Sequence, residues 1–113
     1  MEKLLIDIAK DYSPYPGGRY TTDGDRSGVA FRKECLLPAL NVALKNGEKL
    51  AVNIDGVRSF GSSFLEEAFG GLVRSEGIDK KLLLKTLEVV SAKPSTRVFA
   101  DLIIKYIDTA KPE

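Results

Sequence analysis

The chain is expected to fold as a single layered α/β domain over residues 1–113, a mixed β-sheet with helices packed mainly on one face. Three observations carry this expectation. Short apolar runs of strand length alternate with longer stretches of helical periodicity, the order that builds sheet-and-helix layers. Glycine and proline fall between these segments rather than inside most of them. The length of 113 residues and the hydrophobic fraction of 43% suit one ordinary core, with no internal repeat, linker or low-complexity segment.

Taken in order, residues 4–9 are an apolar run suited to a strand. Residues 11–28 are a long loop rich in Gly, Pro, Asp and Ser. Loops of this length in a small domain are uncommon and often functional. Within it, Pro16-Gly17 carries a type II turn signal and residues 19–22 suit a brief strand. Ser27 can cap a helix running to about Lys45, with Val29, Leu36, Leu40, Ala43 and Leu44 on one face and Phe31, Cys35 and Val42 to its side. Pro38 should kink that helix or split it in two, and Asn46-Gly47 should stop it. Residues 49–55 alternate, placing Leu50, Val52 and Ile54 on one sheet face.

The next helix is the most strongly patterned. Phe64, Leu65, Ala68, Phe69, Leu72 and Val73 recur at helical spacing, Ser63 with Glu66 matches a capping box, and Gly77 ends the segment. Gly70-Gly71 weakens the helix intrinsically and is expected to permit close packing. Residues 79–85 suit a short helix and residues 86–91 a strand. Pro94 opens a last helix with Val98, Leu102, Ile103, Tyr106 and Ile107 as its buried stripe.

Composition narrows the chemistry. Lys+Arg of 17 against Asp+Glu of 16 gives a net charge of +1, which supplies no field for nucleic acid or an anionic membrane. There is no histidine, so Ser-His and Cys-His nucleophile systems are absent. The single Cys35 allows neither an intramolecular disulfide nor a cysteine zinc cluster. The expectation is a non-enzymatic, cytoplasmic protein that uses no cofactor.

Three motifs remain. Gly61-Ser62-Ser63 follows a strand and a short turn at a helix start, where N–H groups are unpaired and negative charge is favoured. Ser63 reads as the cap and Ser62 as the free hydroxyl, a candidate for phosphorylation. The loop 16–28, with Gly17, Gly18 and Arg19, could cradle an anion, and with Asp55 at the end of a strand it offers the alternative of a small-molecule or nucleotide-binding domain, while Tyr15 and Tyr20 offer contact surface for a partner. Asp23-Gly24-Asp25-Arg26-Ser27-Gly28 with Glu34 has the spacing of a calcium loop. The two prolines and two glycines of residues 12–22 rule out the entering helix, and Glu34 would lie two turns along a helix capped by Ser27.

The strand-turn-helix of residues 50–72 resembles the core of STAS domains, shared by sulfate transporters and anti-sigma-factor antagonists. The wider chain is more similar to a bacterial STAS-like family of unassigned function. The residues that carry this are Ser13-Pro14-Tyr15-Pro16-Gly17-Gly18-Arg19-Tyr20, Asp23-Gly24, Ser27-Gly28, Phe31-Arg32, Leu37-Pro38-Ala39-Leu40 and the run from Gly61 to Gly71. The resemblance implies a regulatory protein-binding module. Its partner would be a GHKL-type ATPase or anti-sigma-like kinase, and Ser62 matches the phosphorylated serine of the antagonists by position. This chain carries Gly61 where antagonists have an acidic residue and Phe64 where they have glycine.

Overall fold

Residues 4–57 and 61–112 are described by the computed structural model. The short turn expected before the serine pair includes Arg58, Ser59 and Phe60, which lie outside the described residues. Three strands form one sheet in the order β1 (Leu4–Asp7), β2 (Leu50–Asn53), β3 (Leu87–Val90). Both pairings are parallel, with Ile6 opposite Val52 and Val52 opposite Val89. The mixed sheet expected from sequence is therefore corrected: no antiparallel strand is present among the described residues. Helical crossovers return the chain to the same end of the sheet each time. The segment 19–22, expected as a brief strand, instead leads into a 3₁₀ turn at Thr21–Asp23.

Successive parallel strands joined by right-handed crossovers place their helices on one face. Burial agrees. Leu50, Val52 and Ile54 are fully buried on the helical side as expected, whereas Leu5 on the other side is 61% exposed. No described helix is long and apolar enough to cross a membrane.

β1 is shorter than its apolar run because the Asp7 carboxylate accepts from the Lys10 N–H, turning Ile8–Asp11 into a short helix, α1. Helix α2 spans residues 28–46. The Ser27 hydroxyl caps it by accepting from the Ala30 N–H, and Gly47 closes it at φ 68°. Pro38 does not split this helix. A π turn at Arg32–Leu36 precedes it, with the Leu37 N–H bonded five residues back to the Arg32 carbonyl. The wider turn accommodates a ring that would otherwise press on the preceding turn. It also shifts the helical phase. Phe31 and Leu36, five residues apart, are both fully buried with Leu40 and Ala43, while Val42 is exposed.

Helix α3 spans residues 62–74 and carries its own π turn, Glu66–Gly70. Helix α4 (Lys80–Thr86) is capped by Asp79, whose carboxylate accepts from the Leu82 N–H at 3.0 Å. Helix α5 (Pro94–Thr109) opens on the expected proline. Its buried positions are Thr96, Ile103 and Ile107; Leu102 and Tyr106 pack at the margin, and Val98 is exposed, one position off the stripe. Phe31, Phe64 and Phe69 form the aromatic centre, with ring centroids 5.7 Å (31–64) and 6.2 Å (31–69) apart.

Candidate functional site

The start of α3 and the loop 11–28 come together in the fold; Asp55 stands apart from them. Gly28 lies against α3 so closely that a Cβ there would sit 2.7 Å from the Phe64 carbonyl oxygen and 3.2 Å from the Ala68 nitrogen. Tyr12 packs its ring on Phe31 (5.1 Å) and donates its hydroxyl to the Ser27 carbonyl at 3.0 Å. Burial, with Glu34 nearby, pushes this phenol up to about 12. Tyr12 thus folds back on the core. Tyr15 and Tyr20 do not, being 66% and 54% exposed.

The glycine-rich loop holds itself by its own backbone. The Gly17 N–H donates to the Arg26 carbonyl, and the Gly28 and Val29 N–H groups donate to the Gly18 and Arg19 carbonyls. The positive φ expected at Gly17 falls one residue later, at Gly18, with φ 86°. The Asp23 carboxylate accepts from the Arg19 and Tyr20 N–H groups, so these donors are already occupied inside the loop.

Arg19 reaches across to α3. Its guanidinium bonds Glu66 and lies 3.2 Å from Glu67. This is one end of a ladder of three arginines and three glutamates. Arg74 donates to Glu66 at 2.6 Å and 3.2 Å and sits 3.4 Å from Glu67. Arg32, almost wholly buried, donates to the Glu67 carboxylate at 2.7 Å, to the Glu67 carbonyl at 2.5 Å and, through Nε, to Glu76 at 2.9 Å. Burial alone would raise both central carboxylates. Hydrogen bonds from Arg74 and Arg19 outweigh this at Glu66, and those from Arg32 and Arg19 at Glu67, so both are held below the usual carboxylate range. The rungs lie on the two π turns, on the last turn of α3, on Glu76 just past its end, and on the loop.

Gly71 makes the ladder possible. A Cβ there would fall well inside contact distance of the Arg32 guanidinium, 2.8 Å from its Cζ. The expected role of Gly70-Gly71 is therefore specific. Gly71 opens space for a charged side chain, and Gly70 for both the Glu66 carboxylate, 2.7 Å from where a Cβ would sit, and the backbone of α5, whose Tyr106 carbonyl oxygen would be 3.5 Å away.

The capping box expected at Ser63 and Glu66 does not form. Gly61 is the N-cap residue, Ser62 is the first residue of α3, and no side chain caps it. Glu66 cannot reach back because its carboxylate is held forward by Arg74 and Arg19. Among the described residues neither the Ser62 nor the Ser63 hydroxyl has a hydrogen-bond partner. Ser62 and Gly61 are exposed, and Ser63 is half-buried.

Asp55 lies at the carboxyl end of β2, where ligands bind in many α/β sheets. Its carboxylate accepts instead from the Ala92 N–H (2.8 Å), the Lys93 N–H (3.2 Å) and the Thr96 hydroxyl (2.7 Å) at the start of α5. The Ala92 N–H and the Thr96 hydroxyl are the main causes holding Asp55 below the usual range. The turn itself is held by Asn53, whose side chain accepts from the Asp55 N–H at 2.9 Å.

Residues 27–97 match the family model described as a STAS-like domain of unknown function. The chain belongs to this STAS-like family. No curated protein and no solved structure matches it. The matched segment begins at the Ser27 cap and ends inside α5. It therefore contains Arg32, Glu66, Glu67, Gly71, Arg74 and Glu76, and leaves out only Arg19 of the ladder. Sequence reasoning passed over this ladder. Its one local signal was Glu67, a charge placed among the apolar positions of the clearest helix; its partners lie 35 residues away at Arg32 and 48 away at Arg19.

Proposed function

We propose that this STAS-like domain is a non-enzymatic regulatory module that binds another protein through the start of α3 and the adjoining loop 11–28. Phosphorylation of Ser62 switches that contact. The observation that carries this reading is the state of Ser62: exposed, first in a thirteen-residue helix that no side chain caps, and with no hydrogen-bond partner for its hydroxyl among the described residues. A phosphate there would add nearly two negative charges at a helix start that tolerates them, and would act by repelling or recruiting the facing surface. Tyr15 and Tyr20 supply exposed aromatic contact on the loop that Arg19 ties to the same helix. The partner implied by the STAS resemblance is a GHKL-type ATPase or anti-sigma-like kinase.

Incubation with such a kinase and ATP, followed by intact-mass analysis, tests the reading. The expected result is one phosphate, lost in Ser62→Ala, with partner affinity changed at least tenfold in Ser62→Glu. Absence of phosphate together with equal partner binding by wild type, Ser62→Ala and Ser62→Glu would refute it.

A further inference from the structure

The sheet ends at β3 with a strand position prepared and unfilled. The Ile54 N–H donates to the Val90 carbonyl, so Val90 faces β2 and the N–H and C=O of Val89 point out of the sheet. Among the described residues these two groups have no partner. Beside them runs a groove of about 220 Å³ lined by Val89, Ser91, Arg97, Ala100, Asp101 and Ile104. Helix α5 flanks the sheet edge there with a mainly polar wall, whose apolar part is Ala100 and Ile104, the latter 42% exposed. Two unpaired charges border it, since among the described residues neither Arg97 nor Asp101 takes part in an ion pair, although they are four residues apart on one helix.

We propose that this edge accepts one extended segment of a partner protein as a fourth strand, antiparallel to β3. The segment carries apolar residues at every second position, an acidic residue at its amino end and a basic residue towards its carboxyl end. Main-chain groups of Val89 supply the pairing, and alternate side chains of the segment rest on Ala100 and Ile104. The charge order follows from α5 running back along β3. Arg97 lies towards the Ser91 end of the strand and Asp101 towards the Leu87 end. The free charges Arg97 and Asp101 call for a segment of opposite charge order, and pairing of β3 with β3 from a second copy is the competing outcome that the experiment separates. This surface is on a different edge of the fold from Ser62 and stands independently of the switch.

The probe is a capped synthetic peptide of alternating valine and threonine with glutamate first and lysine last. Amide hydrogen exchange and ¹⁵N-resolved NMR are read on the full chain. The Val89 amide is expected to exchange freely without peptide and to be protected at least tenfold with it, with shifts at Ala100 and Ile104. Ile104→Lys, or N-methylation of the peptide amides that face Val89, should abolish the protection. Val98→Lys, exposed on α5 but off the groove, should leave it intact. Arg97→Glu combined with Asp101→Arg should transfer the preference to a peptide with its charges exchanged. No change at Val89 up to millimolar peptide overturns the proposal, as does protection of Val89 without peptide that grows with protein concentration, which would identify a second copy.

Discussion

Replacing Gly71 by alanine tests the account of the buried ladder most directly. Gly71 sits in helical geometry, with φ −63° and ψ −23°, so alanine suits its backbone. On helix propensity alone Gly71→Ala should stabilise by about 1 kcal/mol. The new Cβ would occupy the place of the Arg32 guanidinium, which is fixed by bonds to the Glu67 carboxylate, the Glu67 carbonyl and Glu76. Displacing that group breaks a buried charge pair, a loss of about 3–5 kcal/mol when one partner is removed. The net expectation is a destabilisation of roughly 2–4 kcal/mol. In an Arg32→Ala background the obstacle is gone, and the same Gly71→Ala change should become stabilising by about 0.5–1 kcal/mol. Urea unfolding of the four proteins in the cycle reads both numbers. If Gly71→Ala costs as much without Arg32 as with it, glycine is there for some other reason and the argument fails.

Further predictions concern the other close contacts and charges. Gly28→Ala should cost about 1–3 kcal/mol, because its Cβ meets backbone atoms of α3 that cannot turn aside; the same unfolding assay checks this. Asp55→Ala should cost about 1–2 kcal/mol by stripping the start of α5 of its acceptor, and should speed amide exchange at Ala92 and Lys93. Glu66, Glu67 and Asp55 are all held below their ordinary values, so in acid the unfolded chain binds more protons than the folded one. Their contribution is complete above the ordinary carboxylate range of about 4 and disappears as pH falls through the depressed folded values. Glu66→Gln combined with Glu67→Gln should flatten that acid limb. For Tyr12 the sign is opposite. Its raised value places the contribution below the ordinary phenol range, and it is lost as pH climbs towards about 12; Tyr12→Phe should remove that alkaline component from the stability profile.

Much of the fold was legible because it depends on local rules. Ser27 and Asp79 cap helices as their residue types suggest, Gly47 takes the left-handed conformation that follows Asn46, and Leu50, Val52 and Ile54 share the buried face by simple alternation. What escaped depends on distance or on irregular geometry. A four-residue helix at Ile8–Asp11 has no periodicity to detect. A π turn leaves the composition of a helix unchanged and alters only its phase, so Phe31 and Val42 both read as lateral, whereas Phe31 is fully buried and Val42 is exposed. Glu66 satisfied a local capping rule but is engaged by Arg19, 47 residues away, and by Arg74, and those stronger charged bonds win. Asp55 likewise stood at a strand end that suits a ligand and is committed instead to the start of α5, through Ala92 and Thr96. At the candidate site the same competition leaves Ser63 without the capping role the motif promised.

The paired π turns bear on how this chain can change in length. A π turn holds one residue more than an α turn of equal reach. Phe31 and Leu36 already lie on one face across five positions, so removing one exposed residue between them, Lys33 or Glu34, would leave them four apart and still aligned in an ordinary helix. The hydrophobic centre would survive such a deletion. Arg32, next to Phe31 and on the same side of the deletion, would keep its place against Glu67 with it. What would be lost is the wide turn that makes room for the Pro38 ring. The extra residue and the proline are thus a matched pair: a chain shortened here should fold well only if Pro38 is replaced at the same time.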